Sequence, residues 1–460
     1  MPTIDSTIDL LVGGFVILTS YFLLVHPLAT SSRLSPELRR IAFWAWFLRV
    51  GGAFFTYYLY LFYYGGGDII NYIFDSANLT KSFLLRPWQT LEYILFSLIN
   101  QDYLRYLSEN PAYYWFWIDN GIQLIYTRDP ATQTVGAFTF PFNLLSLGSI
   151  NGTIALFATY SFRISFGFFR RLEKVYPNSW QYTAIPILFI PSTMSWIALP
   201  YKEGHALLFI LYALRGILLE RANMLRYIIS FAFIYGAYIV KPYIVVSFIP
   251  ILAFLIIRKQ SQKMKRNIIL YSLNFLVMIF VLSVALYLLK VLAESSGKYS
   301  LENLPKQAYL VQMDLVQNAT YYVETGGSVY NIGEFEPTIY GMLSKFPVAF
   351  FTGLFRPFLW EAKKGVVLLA SIESTALLLF TVYVLFRYGI LSIFRQVSSH
   401  YLSSALVVFS IIFLFMVGLT SGNFGNLVRY RVPGIFFFYL VIFAVYGELK
   451  TKVSYHWGRQ

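Results

Sequence analysis

The residues able to do chemistry in this 460-residue chain are few, and they stand at unusual places. An acid, Asp68, follows three glycines in "YYGGGDIINY", directly behind an aromatic run suited to lipid. Lys202, Glu203 and His205 lie together in "LPYKEGH", Lys241 in "VKPY", Arg356 and Glu361 in "FRPFLWE", and Arg429 and Arg431 in "LVRYRVP". Each borders an apolar stretch, where a charge entering hydrocarbon is costly and needs a partner or a function. Cations outnumber acids in this set. Arg presents a planar fork of donors to phosphate oxygens, and Lys a compact point charge. A carboxylate beside such a head can accept a proton from an incoming hydroxyl, or hold a divalent cation (Mg or Mn) that neutralises a leaving phosphate. The substrate expected from these types is an amphiphile with an anionic head and a tail left in the bilayer.

Each motif also has a plain structural reading. "GGG" is a turn and Asp68 the N-cap of "IINYIF". Arg429 and Arg431 are interfacial anchors that snorkel to headgroups. Arg356 pairs with Glu361, and Lys202 with Glu203.

The elements that must position these residues are transmembrane helices. The chain is 57% hydrophobic and 13% charged, far below the roughly 25% charged residues of a soluble domain. Apolar runs at 8–26, 41–63, 143–168, 181–199, 206–219, 227–240, 243–257, 267–289, 365–386, 402–419 and 433–447 predict about eleven crossings in an all-α polytopic protein. These runs recur along nearly the whole length, so residues 1–460 are expected to form one integral-membrane domain. The first run is read as a span and not as a cleaved signal, because "MPTIDSTID" carries Asp5 and Asp9 and no basic residue.

Charge sets the expected orientation. Arg33, Arg39, Arg40, Arg170, Arg171, Lys174, Arg221, Arg226, five cations between Arg258 and Arg266, Arg387, Arg395, Lys450, Lys452 and Arg459 fall on connections that share one face. The positive-inside bias puts that face in the cytoplasm, with the N-terminus outside and the C-terminus inside. The net charge of +14 is thereby accounted for by insertion, and no nucleic-acid partner is implied. The opposite face holds two long connections, 64–142 and 290–364, rich in aromatics such as "PAYYWFWIDN", and these are expected to carry interfacial helices. The chemistry-bearing residues fall on this outer face, which predicts a pocket at the outer membrane surface. Spans 227–240 and 243–257 are short and meet at a proline, giving either a site reaching into the bilayer or a kinked hairpin that merely packs.

The chain has no cysteine, hence no disulfide, thiolate metal site or thiol nucleophile, and its four histidines are scattered. It shows no GxxxxGK[ST], no HExxH and no internal repeat. Sequons at Asn78, Asn151 and Asn318 receive no role; Asn151 falls inside a predicted span.

"GGGDIINY", from Gly65 to Tyr72, together with "RYRVP" entering the last span, resembles the GT-C superfamily of glycosyltransferases. "IPSTMSWIALPYKEG", "KPY", "GGSVYNIG", "FRPFLWE" and "GNLVRYRVP" are similar to bacterial integral-membrane proteins associated with surface polysaccharides. The resemblance implies a multi-pass protein of the bacterial inner membrane with its active site facing the periplasm or exterior. It implies a sugar donor carried on a polyprenyl phosphate or diphosphate, a glycan, lipid or protein acceptor, and inversion at the anomeric carbon. Asp68 matches the loop acid that serves as general base or metal ligand, and Arg429 and Arg431 match the cations near the lipid phosphate. Glu203 is the reserve acid, Lys202, Lys241 and Arg356 are further phosphate ligands, and Tyr72, His205 and Glu361 complete the expected pocket. Where many members show paired acids, Ile69 follows Asp68 here and the next acid is Asp75. A polymerase or ligase of lipid-linked glycans, and a transporter or flippase of them, are the alternatives. Transporters are characterised by repeats and midplane sites, which this sequence lacks.

Overall fold

Helices in this chain start and stop at its prolines, glycines and capping side chains. The computed structural model describes residues 6–99, 119–122, 130–218, 223–261, 304–317 and 329–457. The described residues are helical apart from short connections, and an isolated antiparallel bridge joins Val329 to Asn423. Ser35 caps Pro36–Tyr58 by accepting from the Leu38 N–H at 3.3 Å, and Asn223 caps Met224–Val240 by accepting from Arg226 N–H at 3.1 Å. Lys241, which precedes a proline, is pushed out of helical geometry to φ −147° and ψ 81°, so Met224–Val240 ends there and Pro242–Ser261 begins afresh.

The protein is an α-helical, multi-pass membrane protein. Among the described residues, Ser6–Ala29, Gly365–Tyr388, Tyr401–Thr420 and Val432–Lys452 are long and apolar enough to cross a bilayer. A fifth span results if Thr132–Leu145 and Ile150–Val175, bent by 107°, count as one. Of the eleven expected runs, the described residues thus support four or five as crossings by length and composition. The run at 181–199 is cut by Pro186 and Pro191 into Trp180–Ala184, a π turn and Pro191–Ala198. The run at 143–168 begins on the far side of the bend, where Leu147 and Gly148 take φ of +55° and +82°. The run at 41–63 is one continuous helix but carries Arg49 at its middle. Runs at 206–219, 227–240 and 243–257 form shorter helices. The run at 267–289, Pro111–Ile118 of the aromatic segment, Asn318 and the start of "GGSVYNIG" lie outside the described residues.

The chain packs as two compact units. The first comprises Met1–Arg171 with Ile187–Pro242, the second Leu172–Pro186 with Tyr243–Gln460. In the first, Lys202–Leu218 and Met224–Val240 form an antiparallel hairpin, with Tyr212 stacked on Phe233 at 4.0 Å, and Asp68–Leu85 packs on Pro130–Leu145. Polar groups hold this unit at two depths. Asp9 in Ser6–Ser20 is buried and accepts from Ser149 Oγ at 2.6 Å, the Ile150 N–H at 2.7 Å and Asn151 Nδ2 at 2.5 Å. A carboxylate from one helix thus satisfies the orphan amides at the start of another. Arg49 is fully buried and donates to the Ser161 carbonyl at 3.2 Å, Ser165 Oγ at 2.8 Å and the Ile187 carbonyl at 3.1 Å. The last contact has a local cause: the helix breaks at Ile190 and Pro191 carries no N–H, so no backbone donor four residues on is there for Ile187.

In the second unit Val432–Trp457 is the central helix. Its apolar window is 83% buried, against 22% for Gly365–Tyr388. Phe248, Phe409 and Phe437 interlock edge-to-face and stacked around it, at 5.2 to 5.9 Å between centroids.

Candidate functional site

In the first unit the glycine triplet is a conformational requirement. Gly65, Gly66 and Gly67 have φ of +68°, +156° and +146°, a region closed to most side chains, and a Cβ on Gly67 would lie 2.6 Å from Tyr60 Cδ1. Gly67 is the N-cap and Asp68 the first helical residue, which corrects the alternative reading of Asp68 as the cap. Asp68 is half-buried at a helix N-terminus, where the unpaired amides favour negative charge. Tyr72, one turn on, is buried. The turn rests on Tyr60, whose carbonyl accepts from the Gly66 N–H at 3.1 Å and whose ring meets Tyr201 at 6.2 Å and Trp196 at 6.3 Å. Tyr201 directly precedes Lys202, so one aromatic cluster links "GGGD" to "YKEGH".

Lys202 opens the Lys202–Leu218 helix and is half-buried. The next turn of this helix crosses close to its predecessor: a Cβ on Gly204 would sit 2.8 Å from the Trp196 carbonyl and 2.9 Å from that of Leu199. Glu203 is fully buried and pairs at 2.8 Å with Lys241 Nζ, the lysine at the proline break. His205 is 2% exposed and sits among Phe138, Phe157 and Phe209, with Nδ1 3.1 Å from the Tyr201 carbonyl. That carbonyl can only accept, which assigns the proton to Nδ1.

In the second unit three distant motifs close on one guanidinium. Arg356 Nε donates to Glu361 Oε2 at 3.1 Å and Nη2 to Oε1, a two-pronged pair, while Glu361 Oε2 also accepts from the Phe358 N–H at 2.9 Å. The Arg356 guanidinium lies 4.7 Å from the ring centre of Tyr330 and 5.4 Å from that of Phe424, and these two rings stack at 5.1 Å. The Tyr330 N–H donates to the Gly422 carbonyl at 3.1 Å, which fastens the Val329–Phe335 strap to the segment before Phe424–Tyr430. Arg431 is 1% exposed; Nη1 donates to the Arg356 carbonyl and Nη2 to Ser374 Oγ at 2.7 Å. Arg431 therefore braces the backbone that carries Arg356, while Arg356 and Glu361 stay 17% exposed. Arg429 is half-buried with its guanidinium 5.6 Å from the Tyr430 ring centre. Burial pushes the Tyr330 phenol up, further than Arg356 and Arg431 draw it down, so the group is a neutral O–H.

The first unit thus holds Asp68, Tyr72, Lys202, Glu203, His205 and Lys241, and the second Arg356, Glu361, Arg429 and Arg431. Among the described residues no group of three His, Asp or Glu gathers as a metal site. The lone carboxylate of Asp68 does not make a resident metal cage by itself. Tyr330, Phe424 and Ser374 escape sequence reasoning as site residues. Tyr330 had a signal in its "GGSVYNIG" context, whereas a serine inside a predicted span has none. No protein-family model, no curated protein and no solved structure matches this chain.

Proposed function

We propose that the protein is a membrane glycosyltransferase of GT-C type, moving a sugar from a polyprenyl-phosphate or -diphosphate donor to an extracytoplasmic acceptor with inversion. The acceptor hydroxyl attacks the anomeric carbon, the bond from that carbon to the phosphate oxygen breaks, and the phosphate leaves on its lipid. Asp68 takes the hydroxyl proton. Within the second unit Arg356 and Arg429 bind phosphate oxygens and Arg431 positions Arg356; within the first, Lys202 adds positive charge beside the Tyr60–Tyr201 contact on which the Asp68 turn rests. Among the described residues no three acids or histidines gather to hold a metal, and the step is written with Asp68 as the base.

The observation that carries this reading is the Arg356 fork. It is partly exposed, braced by Arg431 through its own carbonyl, and stacked on two aromatic rings, and its two donors are held by a carboxylate in the geometry a phosphate would take. A purely structural membrane subunit has no need of such a fork at a span entrance.

The test incubates purified protein with polyprenyl-phosphate and polyprenyl-diphosphate sugars and candidate acceptors. Asp68→Asn is expected to lower turnover by about 10²- to 10⁴-fold, the range for loss of a general base. Arg356→Gln is expected chiefly to raise the KM for the lipid donor. Equal turnover in wild type and Asp68→Asn would remove Asp68 as the base.

A further inference from the structure

At the far end of Gly365–Tyr388 from the Arg356 cluster, the second unit carries a short amphipathic helix. Gly389, at φ +74°, ends the span, Ile390–Ser399 follows, and His400 leaves helical geometry before Tyr401–Thr420 begins. A helix of 10 residues rises only about 15 Å, half of a roughly 30 Å hydrocarbon core. Joined directly to two spans, it has to lie at the bilayer surface, and it packs on the ends of Gly365–Tyr388, Tyr401–Thr420 and Val432–Trp457. At about 100° per residue, Ile390, Phe394 and Leu391 fall on one arc. They are 76%, 67% and 58% exposed. Ile393 and Gln396 lie on the edge turned to the protein and are buried, and Gln396 Oε1 accepts from Lys452 Nζ at 2.7 Å. Ser392, Arg395 and Ser399 make up an exposed polar arc. The helix is thus fastened along one edge while three large apolar side chains point away from the unit.

The surroundings are cationic. Arg387 and Arg395 are exposed on either side of Ile390 and Leu391. The Arg387 guanidinium lies 5.6 Å from the Tyr388 ring centre, Tyr388 meets Tyr446 at 6.1 Å, and Lys450 Nζ lies 5.8 Å from Tyr446 and 5.4 Å from Tyr182. Tyrosines so placed favour headgroup depth. The adjoining segment, tied in by the Tyr176 and His400 rings at 5.3 Å, adds Lys174. Against these cations and Lys452 stand Glu173 and Glu448, the latter accepting from Ser179 Oγ at 3.1 Å.

We propose that Ile390–Ser399 is an interfacial helix that binds anionic phospholipid, with Ile390, Leu391 and Phe394 among the acyl chains and Arg387 and Arg395 on headgroup phosphates. The arginine fork suits phosphate oxygens, and the apolar arc is continuous with Phe386, which is exposed at the end of the span. A protein partner fits less well, since so few side chains fall short of the roughly 800 Å² per partner of a stable interface. This surface does not depend on the transferase reading.

The chain has no cysteine, so a single introduced one can carry a bimane fluorophore without background. Phe394→Cys and Ser399→Cys are each labelled in the full chain, in phosphatidylcholine nanodiscs containing either phosphatidylglycerol or phosphatidylcholine spin-labelled high on the acyl chain. The Phe394→Cys label is expected to be quenched by lipid, more strongly by phosphatidylglycerol, and the Ser399→Cys label by aqueous iodide. Adding Arg387→Gln or Arg395→Gln should lower the preference for phosphatidylglycerol by about fivefold per arginine, while Arg395→Lys, which keeps the charge, should retain most of it. Quenching of the Phe394→Cys label by iodide in place of lipid would show that the arc does not insert. Equal quenching by the two headgroups would remove the anionic site. Shielding from lipid and iodide alike would mean that protein, such as a second copy of the chain, covers the arc, and would overturn the proposal as fully.

Discussion

Two ion pairs, one in each compact unit, look alike in composition and differ in nearly everything else. Glu203 and Lys241 join the start of one helix to the break between two others, with the carboxylate wholly buried and the lysine 14% exposed. Arg356 and Glu361 are five residues apart on one turn of chain, each 17% exposed. Removing two charges from water is repaid only when each finds its partner, so the first pair is a clamp that the fold cannot open without stranding a charge. The second is local and partly exposed on both sides, so neither charge is wholly sealed from a ligand. The pairing thus teaches which charges hold the protein together and which remain available.

The largest effect should come from breaking the clamp. Glu203→Ala leaves Lys241 without its buried counter-charge and is expected to lower stability by about 3–5 kcal/mol, read from thermal unfolding in lipid. Replacing both partners, as Glu203→Leu with Lys241→Met, should recover most of that loss, because the stranded charge goes with the pair. A loss well under 1 kcal/mol on Glu203→Ala would return Glu203 to the list of catalytic acids.

An intermediate effect is expected at a third acid, Asp9, which is buried like Glu203 but serves amides in place of a cation. Asp9→Ala removes acceptors for the Ile150 N–H and for Ser149 Oγ, while Ser149 still caps through its own bond to the Gly152 N–H at 2.8 Å. The expected cost is about 1–2 kcal/mol, the range for losing a helix cap. A cost matching Glu203→Ala would mean that Asp9 also compensates a charge, and the distinction between clamp and cap would fall.

These three acids also mark how much of the molecule could be read from its sequence. Helical membrane character, the glycine turn before Asp68 and the break at Pro242 were legible, because hydropathy, positive φ and the missing proline N–H act locally. The partner of Glu203 was not, since Lys202 beside it and Lys241 far along the chain are equally good by charge, and only tertiary packing decides. Hydropathy likewise does not say what surrounds a span. Gly365–Tyr388 and Val432–Lys452 have nearly equal mean hydropathy, 2.0 and 1.9, yet one is 22% and the other 83% buried. An apolar run therefore reports burial without telling whether lipid or protein provides it. In "RYR" the two arginines are likewise indistinguishable by type, and Arg431 turns inward because the Arg356 carbonyl and Ser374 are there to receive it.

The smallest effect, and the one that decides the comparison, belongs to Glu361→Gln. The variant removes the carboxylate charge, while Arg356 keeps its place on Tyr330 and Phe424, a cation–π contact of about 0.5–1 kcal/mol at such partly exposed sites. Stability should change by less than about 1 kcal/mol, as for exposed pairs elsewhere. A double-mutant cycle with Arg356→Gln should return a coupling of the same small size, and donor binding should tighten because the guanidinium fork no longer has a charged competitor within the chain. A coupling of about 3–5 kcal/mol would instead match that of a broken buried pair. Arg356 would then be a second clamp, occupied by the fold itself, and the phosphate would have to be sought at Arg429 and Lys202.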